Sequence, residues 1–202
     1  MLVDTYKTIN HSFEGEVFKD RGSKFYGYAF PVENEEQIKE YIEGLKSQYH
    51  KARHWCYAWR LGKEDIRFRA NDDGEPNNSA GQPILGQLVA FDLTNILIVV
   101  VRYFGGTKLG VGGLINAYRA SAKLTLERSD ILEKTINIHF KLIFEYEYLD
   151  KVMRIIKEKN LVLENQIMEM NCVLEISVRK KNADAVKNAF ENLRCLTIKK
   201  TH

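Results

Sequence analysis

Residues 101–115 read VRYFGGTKLGVGGLI, and no other segment constrains the fold as tightly. The preceding run, Asn95–Phe104, is apolar enough to be a central strand covered on both faces. The following run, Leu114–Arg128, carries the pattern of a long closing helix. Five of the 13 glycines fall between the two. Glycine costs backbone entropy, so a cluster this dense reads as a backbone device and not as filler. Where such a loop leads into a helix, N–H groups converge at the positive end of the helix dipole, a setting suited to phosphate or carboxylate.

Composition bounds the rest. A chain of 202 residues with 45% hydrophobic content holds one large or two small domains around a real core. The longest apolar run, Ile96–Val101, is far too short to span a bilayer. The opening MLVDTYKTIN has no basic region followed by an apolar stretch, so no secretory leader is expected. Cys56, Cys172 and Cys195 are odd in number and widely spaced, which fits a reducing compartment and excludes a disulfide framework. A cytoplasmic protein with no membrane association is the expectation. The net charge of +3 is too small to announce a nucleic-acid binder, yet residues 136–202 hold all of it, with 12 Lys+Arg against 9 Asp+Glu. Arg179-Lys180-Lys181 and Lys199-Lys200 are its basic runs, which read first as solvated surface.

The pattern along the chain is α+β. Phe13–Phe18 and Lys24–Val32 read as a hairpin, and Ile38, Tyr41, Ile42 and Leu45 mark a helix. His54–Leu61 and Asp65–Ala70 read as strands, the first with Trp55, Tyr57, Trp59 and Leu61 on one face and His54, Cys56, Ala58 and Arg60 on the other. Pro83 opens a short helix running to about Phe91. Beyond residue 134, strand Ile136–Tyr146, helix Tyr148–Lys159, strands Leu161–Met168 and Asn171–Val178, helix Ala183–Leu193 and strand Cys195–Lys199 form the β-α-β-β-α-β order of a split βαβ, ferredoxin-like domain. Two domains, 1–134 and 135–202, are expected.

Three elements of the first domain carry chemistry. The glycine loop is neither a Walker A motif nor a dinucleotide fingerprint, since it lacks the Lys-Ser/Thr pair and the third spaced glycine. Arg102, Lys108 and Arg119 are cations that would supplement its backbone donors, so Arg102, Tyr103, Gly105, Gly106, Lys108, Gly110, Gly112, Gly113 and Arg119 form the candidate anion- or nucleic-acid-binding set. Asp72, Asp73 and Glu75 surround a turn at Gly74 and would suit Mg²⁺, or equally a turn in which carboxylates cap backbone N–H groups. Arg53 and His54 join that loop as a candidate pocket. His54 and Cys56 share a strand face and could be half of a metal site or a nucleophile and its base, but the other cysteines lack paired spacing, so they read first as a semi-buried histidine and a core cysteine. The Trp55/Tyr57/Trp59 face reads as core before it reads as an interaction surface.

Taken together, SKFYGYAFPV, ARHWCYAWRLG, DDGEPNNSAGQPILGQL and VVVRYFGGTKLGVGGLINAYRASA resemble the IMPACT/YigZ family in order and spacing, over about residues 10–125. Asn77-Asn78-Ser79 departs from the Ser-Gly-Thr type sequence usual there, and Trp55 replaces a smaller polar residue. The resemblance implies a first domain like the second domain of a ribosomal small-subunit protein, with a left-handed βαβ crossover. The second domain would be ferredoxin-like. It also implies a link to translation, since eukaryotic members regulate it through the pathway controlling initiation-factor phosphorylation.

The leading expectation is a non-enzymatic regulator whose partner is RNA, the ribosome or a translation-control protein, with no cofactor. The alternative is a metal-assisted enzyme acting on a small phosphorylated or carboxylated substrate.

Overall fold

A computed structural model describes residues 4–15, 17–193 and 195–201. The chain divides into two units: Tyr6–Lys134, and the residues from Thr135 onward together with those up to Thr5. Asp4 therefore belongs with the C-terminal unit, where its carboxylate takes the Arg179 Nε–H at 2.6 Å.

In chain order the first part contains β1 (Thr5–Ile9), β2 (Phe13–Glu14), β3 (Phe18–Asp20), β4 (Ser23–Pro31), α1 (Glu35–Gln48), β5 (His54–Leu61), β6 (Arg67–Asn71), α2 (Gly81–Ala90), β7 (Ile96–Tyr103), α3 (Gly110–Glu127) and β8 (Ile131–Thr135). β1 pairs with β8. The main sheet runs β2-β4-β7-β5-β6, with β3 also on β4, and these pairings are antiparallel. β7 is central because its residues Ile96–Val101 are all fully buried. Period-two alternation sends Ile96, Ile98 and Val100 towards α2 and α3, and Leu97, Val99 and Val101 towards α1. Burying side chains of this size contributes about 1.5–3 kcal/mol each, which makes this strand the anchor of the unit.

The helices start for identifiable reasons. Asn34 Oδ1 accepts the Gln37 N–H at 2.9 Å, while Gln37 Oε1 accepts the Glu33 N–H at 2.8 Å, a reciprocal cap for α1. α3 begins at Gly110, four residues before the apolar pattern sets in at Leu114. Three of the loop glycines are thus its first turn. Their helical cost is offset by burial along the rest of the helix, where Leu114, Ala117, Tyr118, Ser121, Ala122, Thr125 and Leu126 all face the core.

The second unit contains β9 (Asn137–Glu145), α4 (Leu149–Glu158), β10 (Val162–Ile167), β11 (Asn171–Arg179), α5 (Ala183–Glu191) and β12 (Leu196–Thr201). Its antiparallel sheet runs β10-β11-β9-β12. Phe140, Leu142, Phe144, Leu174 and Ile176 pack with Val152, Ile156, Val186 and Phe190 to form its core. The single strand read at Ile136–Tyr146 begins instead at Asn137, and Ile131–Thr135 is a separate strand. Among the described residues no helix is long and apolar enough to cross a membrane.

Candidate functional site

Strand alternation decides which side chains meet. On β5 it turns Cys56 and Ala58 towards α2 and α3, and on β7 it turns Arg102 the same way. Tyr103, the next residue, points to the opposite face and meets Tyr26 edge-on at 5.7 Å. Of the candidate anion-binding set, Tyr103 and Arg102 therefore lie on opposite faces of the sheet.

The segment between β6 and α2 completes the cluster. Asp73 and Gly74 turn the chain with φ of +40° and +85°. Asp72 Oδ1 accepts the N–H groups of Ala80 (2.9 Å) and Gly81 (2.8 Å), and Oδ2 accepts that of Asn78 (2.8 Å). The N-cap residue of α2, Ala80, has no side chain for this purpose, so a carboxylate eight positions upstream caps the helix. Asp73 Oδ2 takes the Trp55 N–H at 2.7 Å. His54 Nδ1 lies 2.9 Å from the Asp73 carbonyl oxygen. A carbonyl only accepts, so Nδ1 carries the proton in this contact.

Glu75 and Arg102 form the centre of the cluster. The Arg102 Nη1–H donates to Glu75 Oε1 at 2.6 Å, with both side chains almost wholly buried. The same oxygen accepts the Tyr118 hydroxyl at 2.7 Å. The guanidinium also lies over the rings of Phe25 (5.4 Å) and Phe104 (5.6 Å). Its Nη2 reaches Ser23 Oγ at 3.3 Å, and that oxygen also accepts the Gly105 N–H at 3.2 Å. The Cys56 thiol sits 2.9 Å from the Asp72 carbonyl oxygen and 3.3 Å from the Tyr118 hydroxyl. Burial pushes both this thiol and the Tyr118 phenol above their ordinary ranges, so both stay protonated.

This network brings His54, Asp72, Asp73, Glu75, Arg102 and Gly105 together, as the motifs suggest, but gives several of them structural duties. Arg102 is no loop cation, because its charge is paired inside the protein. Arg53 is exposed and enters only through its backbone N–H, 3.5 Å from the Arg102 carbonyl. The three carboxylates face separate partners, and among the described residues no group of three His, Cys, Asp or Glu is arranged to hold a metal ion. Trp55 and Tyr57 pack with buried Trp59 into the core beneath α1, so that face is core and not a binding surface.

The outer loop differs. Gly105 is required by contact, since a Cβ there would lie 1.9 Å from the Gly22 carbonyl carbon. Gly106 and Gly110 adopt φ of +89° and +72°. Gly112 has neither reason: a Cβ there would meet nothing within 4 Å. The N-cap residue of α3, Leu109, supplies no side-chain acceptor, and its first turn has no acidic residue. Lys108 is exposed beside it. Arg119, also exposed, is held by Asn116 Oδ1 at 3.3 Å and lines a shallow groove of about 460 Å³ with Asn78, Gln82, Pro83, Gly86, Gln87 and Ile115.

Sequence reasoning missed Tyr118 and Ser23. Tyr118 left one signal, a large phenol within the small-residue stripe of α3, whose hydroxyl needs a buried partner. Ser23 left none.

The Impact N-terminal domain family matches residues 21–126, which run from the β3–β4 turn to the end of α3. The IMPACT family member YvyE of Bacillus subtilis is 33% identical over 184 residues, covering 91% of this chain and 84% of its own. An IMPACT family member of Haemophilus influenzae is 32% identical over 175 residues, covering 86% and 84%. A crystal structure described as that of a hypothetical protein superposes along 100% of this chain and 99% of its own, with a TM-score of 0.73 and 26% identity. The motif network, the matched domain and these long alignments together place the chain in the IMPACT/YigZ family.

Proposed function

We propose that this protein is a non-enzymatic regulator associated with translation, which grips RNA backbone phosphate through the first turn of α3 and its flanking cations. One observation carries the reading: the contrast between two neighbouring helix starts. At α2 the Asp72 carboxylate accepts the N–H groups of Ala80 and Gly81 at the helix start. At α3, among the described residues, no side chain does so, no acid stands in the first turn, and Gly106, Lys108, Gly110 and Gly112 are exposed there. Uncapped N–H groups beside a lysine favour an anion. Arg119, further along the helix, provides a second phosphate contact for an extended partner. Arg102 acts indirectly, by fixing the loop through Ser23 and Gly105.

The family membership supports the link to translation, in keeping with the resemblance to regulators among the eukaryotic members. We also read the β10-β11-β9-β12 unit as ferredoxin-like, and the N-terminal unit as the ribosomal-protein-type fold with a left-handed crossover. Binding to a structured RNA, measured at low salt and again at higher salt, tests the function. Salt-sensitive binding supports it, and absence of binding in low salt refutes it.

A further inference from the structure

The face of the main sheet that packs under α1 changes character at its last row. In the inner rows Tyr28, Trp59, Leu97 and Val99 are buried. In the last row Lys19 of β3 lies opposite Lys24 of β4, and Lys24 lies opposite Tyr103 of β7. One residue beyond the His54–Arg102 pair, the same register places Arg53 opposite Tyr103 from the other side. The adjacent pair Phe18–Phe25 belongs to the core on the other face, so alternation turns Lys19 and Lys24 to the side of Tyr26 and Tyr103. Lys19, Lys24 and Arg53 are exposed and Tyr103 is half-buried. Among the described residues none of the three cationic heads has an ion pair or a hydrogen bond. The acids of adjoining segments are engaged elsewhere. Glu14 accepts the Tyr28 and Tyr49 hydroxyls at 3.0 and 3.4 Å, and Asp73 accepts the Trp55 N–H at 2.7 Å and lies 3.9 Å from Lys46 Nζ. Asp20 stands opposite Ser23, whose hydroxyl reaches Arg102 on the other face.

We propose that this row binds an unpaired segment of RNA, with a base stacked on Tyr103 and backbone phosphates on the cations to either side. The inference deepens the RNA reading above and rests on it. Like charges directly opposite on adjacent strands are destabilising, so Lys19 and Lys24 carry a cost that a bound anion removes. An aromatic ring between phosphate-binding cations suits a single strand, whose bases are free to stack on it. A duplex keeps its bases stacked within itself and gains nothing from the ring. An acidic peptide would use the cations and leave the tyrosine idle. The row also adjoins the glycine loop. β7 passes from Tyr103 into that loop, and Gly105 packs on Gly22 in the β3–β4 turn, between Lys19 and Lys24 in sequence.

The test compares the Kd of the full chain at low salt for a hairpin RNA with a single-stranded tail, the blunt hairpin, and the hairpin with an abasic tail. The tail should tighten binding about tenfold, and the abasic tail, which keeps the phosphates but cannot stack, should lose most of that gain. Lys24→Glu should weaken the tailed hairpin about tenfold and the blunt one far less. Its melting temperature should hold or rise, because a carboxylate then faces Lys19. Tyr103→Leu should remove the advantage of the tail, and Tyr103→Phe should keep it. The proposal is overturned if tailed and blunt hairpins bind alike, or if the abasic tail serves as well as the intact one. It is also overturned if neither Lys24→Glu nor Tyr103→Leu narrows the gap between the two hairpins. Under each of these results the α3 reading still stands, provided Lys108→Ala/Arg119→Ala weakens both RNAs. If neither hairpin binds, the RNA reading falls and this inference falls with it. A glutamate-rich peptide that binds the row where the tail does not overturns it as well.

Discussion

Replacing Arg102 with Met tests the buried network where it is most demanding. Glu75 is only 8% exposed, and the substitution takes away its charged partner while leaving the neutral Tyr118 hydroxyl as a donor. An uncompensated buried charge of this kind costs about 3–5 kcal/mol. Glu75→Leu strands the guanidinium instead, with only Ser23 and two aromatic rings to hold it, and should cost a similar amount. The double variant removes both charges, so its loss should fall short of the sum of the two by about 2 kcal/mol or more. Urea unfolding followed by tryptophan fluorescence reads this directly, because Trp55 and Trp59 both lie in the same unit. With a slope of about 2 kcal/mol/M, each single substitution should lower the midpoint by about 2 M. Single losses under about 1 kcal/mol, or a double that is additive within about 0.5 kcal/mol, would refute the reasoning.

Asp72→Ala strips the acceptors from three backbone N–H groups and should destabilise by about 1–3 kcal/mol in the same assay. Gly112→Ala should leave stability unchanged or raise it by about 0.5–1 kcal/mol, since the new methyl meets nothing, whereas Gly105→Ala should fail to fold stably. Burial raises the Cys56 thiol above its ordinary value of 9.0, so its contribution to stability is complete below about pH 9 and is lost as pH rises beyond it; Cys56→Ala should flatten the alkaline limb of the stability profile. Under native conditions a thiol reagent should modify half-exposed Cys195 first, and buried Cys56 and Cys172 only on unfolding.

The legible parts of this fold were those in which a local pattern has a single physical solution. β5 is bounded at His54 and Leu61 as its alternation predicts, and β7 follows its apolar run. Strand order was less accessible. β4-α1-β5-β6-α2-β7 and β9-α4-β10-β11-α5-β12 spell the same succession of elements, yet their sheets run β4-β7-β5-β6 and β10-β11-β9-β12. The difference follows from burial: β7 is apolar on both faces and takes a central place between helices, whereas β12 alternates with exposed lysines and lies at an edge. The site was legible as a set of motifs but not as a set of roles. Arg102 beside the glycines looks like a ligand cation until Glu75, 27 residues away, is found to neutralise it. Such a pairing depends on the register of three strands and leaves no local trace.

The central claim is that the α3 turn with Lys108 and Arg119 holds RNA phosphate. The most direct measurement is the slope of log affinity against log salt for a structured RNA, with wild type beside Lys108→Ala/Arg119→Ala. Loss of two phosphate contacts should weaken binding nearly uniformly across RNA sequences and reduce the magnitude of the slope by about 0.7–0.9 per contact. An unchanged slope and affinity in the double variant would contradict the account.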